Sequence, residues 1–385
     1  MITNISNKNR ILLSSFCSIF IILTFSGCSS SDSNDVVATI NDGSNASNSA
    51  VMTTLVDGTI VQNDRLVSLG EKLFNDENLS TPAGQSCASC HDLLTGFDDP
   101  NSSNPTSMGA DGTSFGTRNS PTASYAAHIP QAQILGGDLI GGLFLDGRAI
   151  SLEEQAKGPF LNPVEMGNES AQEVIDKIKL SSYANNFESL FGLNVLNDSD
   201  RSYNYVADAI AAFERSSVFS PFTAKFDRVR AGTENFTAAE ERGRNLFRGK
   251  AQCALCHNNS QGTLVFSDFR YKNIGVPSNP LLPAFIDDPS FVDLGLGAVT
   301  GDSRNNGQFR TSSLRNIAIT APYMHNGVFN TLEEVLDFYN TRDTTFTEAP
   351  EVSENLDQVG NIGELNLTAN EISDLIAFLN TMTDQ

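Results

Sequence analysis

Two short segments, Cys87-Ala88-Ser89-Cys90-His91 and Cys253-Ala254-Leu255-Cys256-His257, constrain this chain of 385 residues more than any other feature. Each reads C-x-x-C-H, the pattern of c-type haem attachment. The spacing has a chemical reason. Two thioethers must reach the two vinyl groups of one porphyrin, and the adjacent histidine then sits under the iron as an axial ligand. Disulfides and zinc are the alternatives for four cysteines. Disulfides leave the histidine after each pair unexplained. The reading is therefore two covalently bound haem c groups.

The surroundings of the motifs repeat. Gly70-Glu71-Lys72-Leu73-Phe74 precedes the first and Gly243-Arg244-Asn245-Leu246-Phe247 precedes the second. Both give G-x-x-L-F on a short helix leading into the haem loop. A repeat of this kind points to two related domains.

The other two of the six cysteines, Cys17 and Cys28, belong to an export signal. Lys8 and Arg10 precede an apolar run, Ile11–Phe25, too short for a comfortable membrane span. The run ends in Thr24-Phe25-Ser26-Gly27-Cys28, which resembles a bacterial lipobox. Residues 1–28 then form a lipoprotein-type signal peptide. Cys28 carries the lipid, and the protein is periplasmic, touching a membrane through that anchor only. Ser29 after the cysteine points to the outer membrane. Residues 29–60 are expected to form a flexible polar linker, rich in Ser, Asn and Asp up to residue 50.

The formal net charge is -22, from 46 acidic and 24 basic residues. Phosphate binding needs Lys/Arg clusters, so nucleic acid is excluded as a partner. A basic protein partner suits the charge. Helix signals dominate and strand alternation is scarce. Capping boxes pair Ser151 with Glu154, Ser170 with Glu173, Thr237 with Glu240, Thr331 with Glu334 and Thr368 with Glu371. Val206, Ile210 and Phe213 line one helix face, and Ile372, Leu375, Ile376 and Leu379 another. The fold class expected is all-α: two cytochrome c-like haem domains with long loops, over residues 61–225 and 235–385. The final helix could pack on either.

Further blocks then point to a family. They are Arg118-Asn119-Ser120-Pro121-Thr122, Asp146-Gly147-Arg148-Ala149, Gln155-Ala156-Lys157-Gly158-Pro159, and Asn162-Pro163-Val164-Glu165-Met166. Leu314-Arg315-Asn316, Thr320-Ala321-Pro322-Tyr323-Met324-His325-Asn326-Gly327 and Thr331-Leu332-Glu333-Glu334 follow in order. With these the chain resembles the bacterial di-haem cytochrome c peroxidases and their relative MauG, from about residue 65 to 380. The resemblance implies a peroxidase-type oxidoreductase with unequal haems. His91 would be the proximal ligand of the peroxidatic haem, with Glu165 as acid/base and Gln155 orienting hydrogen peroxide on its distal side. His257 would be the proximal ligand of the electron-transfer haem, fed by a small cytochrome c or cupredoxin.

Counting from His325 by the family's spacing, the second axial ligand falls on Tyr339, with Met324 as the rival. Typical peroxidases place a methionine there and MauG a tyrosine. A phenolate stabilises ferric iron and lowers the potential. Two more departures stand out. The loop Met108–Gly116 carries no histidine to block the first iron, and Leu145 stands where the family usually has a tryptophan between the haems. His128 is left over, and a packing role suits it better than ligation. The resemblance also implies a calcium ion at Asn119, Thr320 and Pro322, and it permits a homodimer. Three functions remain open: peroxide reduction to water, MauG-like oxidation of residues in a partner protein, and non-enzymatic electron carriage.

Overall fold

The computed structural model describes residues 50–101, 103–258 and 264–385. The signal peptide, the lipidation site Cys28 and the linker up to residue 49 lie outside the described residues. No described helix is long and apolar enough to cross a membrane.

Eight helices of eight residues or more appear among the described residues. They are α1 (Asn63–Phe74), α2 (Leu152–Leu161), α3 (Ala171–Leu180), α4 (Ala184–Phe191), α5 (Ser199–Glu214), α6 (Ala238–Arg248), α7 (Leu332–Thr341) and α8 (Ala369–Asn380). The first five surround one hydrophobic core, which contains Leu73, Phe74, Ile175, Phe187 and Val206. The last three enclose a second, with Phe247, Phe338, Leu375 and Phe378. The final helix packs on α6, in the second core.

The G-x-x-L-F repeat has a packing reason. A β-carbon on Gly70 of α1 would stand 1.9 Å from the Ala209 carbonyl oxygen of α5 and 2.9 Å from Phe213 Cβ. A β-carbon on Gly243 of α6 would stand 1.9 Å from the Asp374 carbonyl oxygen of α8 and 2.8 Å from Phe378 Cβ. In both cores the helices therefore cross with their backbones touching, which only glycine permits. Phe74 then meets Phe213 edge-on at 5.6 Å, and Phe247 meets Phe378 at 5.4 Å. Burying each ring stabilises its core by about 1.5–3 kcal/mol.

All five anticipated N-caps form, each Ser or Thr accepting from the amide three residues on. Only Thr237, Thr331 and Thr368 complete the reciprocal box. Glu173 instead turns its side chain to the Glu169 amide, 2.8 Å away.

Two features go beyond the expectations. The fold is helix-rich but not purely helical. Among the described residues three antiparallel ribbons occur: β1 (Met52–Thr54) with β2 (Ile60–Gln62), β3 (Gln133–Leu135) with β4 (Asp138–Ile140), and β5 (Tyr271–Lys272) with β6 (Phe309–Arg310). Runs of two or three residues are too short to carry a period-two signal. The linker expected to reach residue 60 also stops earlier. Met52 pairs with Gln62, Leu55 and Val61 join the first core, and the Tyr205 hydroxyl donates to Asp57 at 2.8 Å.

Candidate haem sites and the junction between them

Each C-x-x-C-H segment is a single tight turn. Cys87–Cys90 forms one helical turn, with Ser86 and Ser89 capping each other. Cys253–Leu255 forms a 3-10 turn. The histidines that follow are held alike. His91 Nδ1 lies 3.1 Å from the Phe97 carbonyl oxygen, and His257 Nδ1 lies 3.0 Å from that of Phe266. Both phenylalanines adopt left-handed backbone, at φ 60° and 57°. Bulky residues rarely do so, and here the turn aims a carbonyl at the imidazole. With Nδ1 donating, Nε2 keeps its lone pair for a metal. Burial pushes both imidazole pKa values down, which favours the neutral, ligating form.

Burial also raises the thiols, Cys90 and Cys253 to about 12 and Cys256 to about 11, and Cys87 in the same direction. The four form no disulfide, and no three described His, Cys, Asp or Glu side chains gather as a metal cluster. Paired free thiols beside a neutral histidine fit a covalently joined porphyrin at each motif.

The distal candidates of the first site sit on one turn-helix unit. Gln155 is half-buried in α2. Extended Asn162 before Pro163 ends that helix. The Glu165 amide then donates to the Asn162 carbonyl at 3.0 Å, and Gly167 at φ 68° completes the turn. Glu165 lies near enough to both Cys87 and Cys90 for its charge to raise each thiol. Burial raises the Glu165 carboxyl, while Arg148 and the Asn162 amide oppose that rise. Arg148 stacks on Phe144 at 3.6 Å and pairs with Asp146 at 2.8 Å. Among the described residues no hydrogen bond joins the Gln155 side chain to Glu165, so their association rests on the shared unit.

The loop without a histidine folds back on this unit. Met108 bridges Phe115, and Asp111 takes the amides of Thr113 and Ser114. The Ser114 hydroxyl first, and then these amides, hold its carboxyl well below the ordinary range. The Gln85 amide nitrogen donates to the Met108 carbonyl at 2.7 Å, tying the loop to the first motif.

Around the second motif lies a largely apolar cavity lined by Cys253, Cys256, His257, Leu314, Met324 and Tyr339. Tyr339 comes from α7. Burial first, then the neighbouring Cys256 and Cys253, raises its phenol. Its hydroxyl makes no hydrogen bond among the described residues. Met324, in left-handed backbone at φ 73°, lines the same cavity, so both rivals for the second axial position face it.

The same cavity reaches the junction between the cores. Arg118 bonds Asp293 through two nitrogens, at 2.5 and 2.7 Å, and Asp146 through a third at 2.5 Å. The Asn119 amide nitrogen donates to the Pro322 carbonyl at 2.6 Å, and its backbone amide to the His325 carbonyl at 2.8 Å. Thr320 is buried alongside. In this arrangement the Asn119 side chain presents its nitrogen, not its oxygen, to the Pro322 carbonyl.

Residues 64–235 match the family described as di-haem cytochrome c peroxidase. The methylamine utilization protein MauG of Paracoccus denitrificans is 41% identical over 84% of this chain and 89% of its own. The cytochrome-c peroxidase IdrP1 of a Pseudomonas strain is 33% identical over 84% and 82%. Among solved structures, the di-haem peroxidase BthA of Burkholderia thailandensis aligns with a TM-score of 0.75 at 32% identity, over 83% of this chain and 86% of that one. The chain belongs to the di-haem cytochrome c peroxidase and MauG family. It is thereby an oxidoreductase of the peroxidase type.

Leu145, where the resemblance calls for a tryptophan, is buried at the junction, and its carbonyl accepts from the Arg310 amide at 2.8 Å. His128 packs between Tyr125 and Phe222, at 6.0 and 5.4 Å. His325 is engaged too, stacked on Phe309 at 3.9 Å with Nε2 2.9 Å from Glu351. Sequence reasoning missed Asp293, Glu351 and Arg310. Asp293 and Glu351 find Arg118 and His325 far away along the chain, and Arg310 is marked only by its burial, so no local pattern picks them out.

Proposed function

We propose that this protein reduces hydrogen peroxide to two waters, using two electrons and two protons, with the electrons delivered by a small periplasmic redox protein. The observation that carries the reading is Glu165. It is a carboxyl raised by burial, within electrostatic reach of the first attachment motif and backed by a loop without a histidine.

In this reading the halves at about 61–225 and 235–385 are two cytochrome c-like domains, the first meeting peroxide and the second receiving electrons. Cys87, Cys90 and His91 would hold one haem, and Cys253, Cys256 and His257 the other. The bound haems supply oxidation-state changes. The chain supplies position and protons. Glu165 takes a proton from the near peroxide oxygen and returns one to the leaving oxygen. Its raised pKa brings it towards operating pH, which suits both roles. Gln155 orients the peroxide by hydrogen bonding. Arg148 opposes that rise and so favours the carboxylate form that the first step uses. A calcium ion at Asn119, Thr320 and Pro322 would tie the two halves together.

Steady-state peroxide consumption with a reduced small cytochrome c tests the reading. Glu165→Gln should slow it about 10²-fold or more while both haems remain attached. An unchanged rate would remove Glu165 from the mechanism.

Tyr339 favours a second reading, oxidation of residues in a partner protein as MauG-like enzymes perform. Its hydroxyl faces the second site without another partner, and MauG of Paracoccus denitrificans is a relative at 41% identity. Peroxide bleaching of the Soret band without turnover of the small donor would select it.

A further inference from the structure

Arg310 is a cation in need of an anion. It lies on β6, 7% exposed, and lines the cavity that also holds Cys253, Cys256 and His257. Among the described residues its Nε has no hydrogen-bond partner, and its Nη1 reaches only the Thr311 carbonyl, at 3.4 Å. No carboxylate pairs with it among the described residues. Burial lowers its pKa, opposed only by the Tyr271 phenol across the ribbon.

The other charged groups around this cavity are accounted for. Asp293 binds Arg118, Glu351 binds His325, and Lys272 reaches Asp357 at 3.5 Å. Asp98 accepts its neighbour's amide, and burial pushes its carboxyl up to about 7. Arg310 alone has a buried charge and an unfilled donor. A guanidinium stays charged in proteins, and burying it unpaired is strongly unfavourable. Its planar fork matches a carboxylate.

We propose that Arg310 is the counter-ion of a porphyrin propionate carboxylate at the second site and raises that group's reduction potential. The proposal rests on the haem reading above. Reduction adds an electron, so a fixed positive charge beside the ring favours the reduced form, and removing it disfavours reduction. Arg310 thereby becomes a positioning residue, acting on the electron supply without touching peroxide.

The test uses mature protein from a haem-maturing host, as parent, Arg310→Gln and Arg310→Lys. Haem is counted by pyridine haemochrome, and each potential is read by spectroelectrochemical titration. A Cys253→Ser/Cys256→Ser chain, which keeps only the first group, labels the wave of the first site. With two haems retained, R310Q should weaken reduction at the second site about tenfold or more, about 59 mV for one electron. R310K should weaken it less. Loss of the second haem in R310Q but not in R310K would also support the pairing. Two retained haems with both potentials within about twofold of the parent in equilibrium constant would overturn it. So would equal effects of R310Q and R310K, which would assign the role to packing. Fewer than two haems in the parent would instead sink the haem reading and this proposal with it.

Discussion

The Ala110 amide donates to the Glu165 carbonyl oxygen at 2.7 Å. The loop that lacks a histidine is thus bonded to the backbone of the proposed acid/base. The loop comes this close because residue 109 is glycine. A β-carbon there would stand 2.8 Å from the Val164 carbonyl oxygen.

Gly109→Ala should therefore displace the Val164–Glu165 segment while leaving both attachment motifs intact. Turnover of peroxide is expected to fall about 10-fold to 100-fold, since small misplacements of a catalytic group are costly. Stopped-flow kinetics with haem content measured in parallel check this. Parent-like turnover would show that the loop does not position Glu165.

The second axial position separates Tyr339 from Met324. In low-temperature EPR of the resting ferric protein, Tyr339→Phe should change the low-spin signal of the second haem, and Met324→Leu should leave it. The potential of that haem should rise in Tyr339→Phe, because a phenolate favours ferric iron. The reverse pattern would assign the ligand to Met324.

The two helix crossings give a stability prediction. Gly70→Ala and Gly243→Ala each force a β-carbon to within 1.9 Å of a backbone oxygen. Each should destabilise its own half by about 1–3 kcal/mol, the usual cost of overpacking. Thermal unfolding followed at the Soret band measures it. A parent-like midpoint for both variants would contradict the backbone-to-backbone crossing.

Buried carboxyls on α5 predict a pH effect. Burial pushes Glu214 from its ordinary 4.5 up to about 8, and Asp208 from 3.8 up to about 7. Each keeps its proton when folded and loses it more readily when unfolded. Their contribution is full below the unfolded values near pH 4, and declines as pH rises towards 7 and 8. Glu214→Gln has no proton to lose at that position. The fall in melting temperature between pH 5.5 and 8.5 should shrink by about 2 °C or more in this variant. An identical fall in parent and variant would mean that Glu214 does not stay protonated in the folded protein.

Much of this protein was legible as text because its chemistry is local. Haem attachment needs two thiols and a histidine within five consecutive residues, so both motifs stand out unaided. The G-x-x-L-F repeat and the capping threonines are local as well, and the helices begin where those caps lie. The helix face of Val206, Ile210 and Phe213 is buried as its spacing implied. Phe378, buried on α8, was not picked out, although it mirrors Phe213.

Other features depend on contacts that no window of sequence contains. The ribbon at Met52–Gln62 forms because Leu55 and Val61 find the first core. Arg118 meets Asp293 only when the chain folds back across 175 positions. The closeness of Glu165 to Cys87 and Cys90 is set by the turn after α2 and the packing of that unit on the first core. Arg310 looks like any strand arginine until burial removes water and leaves its charge without a partner. Sequence determined where the attachment motifs lie and where the helices start, since those rest on residue spacing and backbone caps. Tertiary structure alone decided which charges are buried together, because desolvation acts between residues that are distant along the chain and adjacent in space.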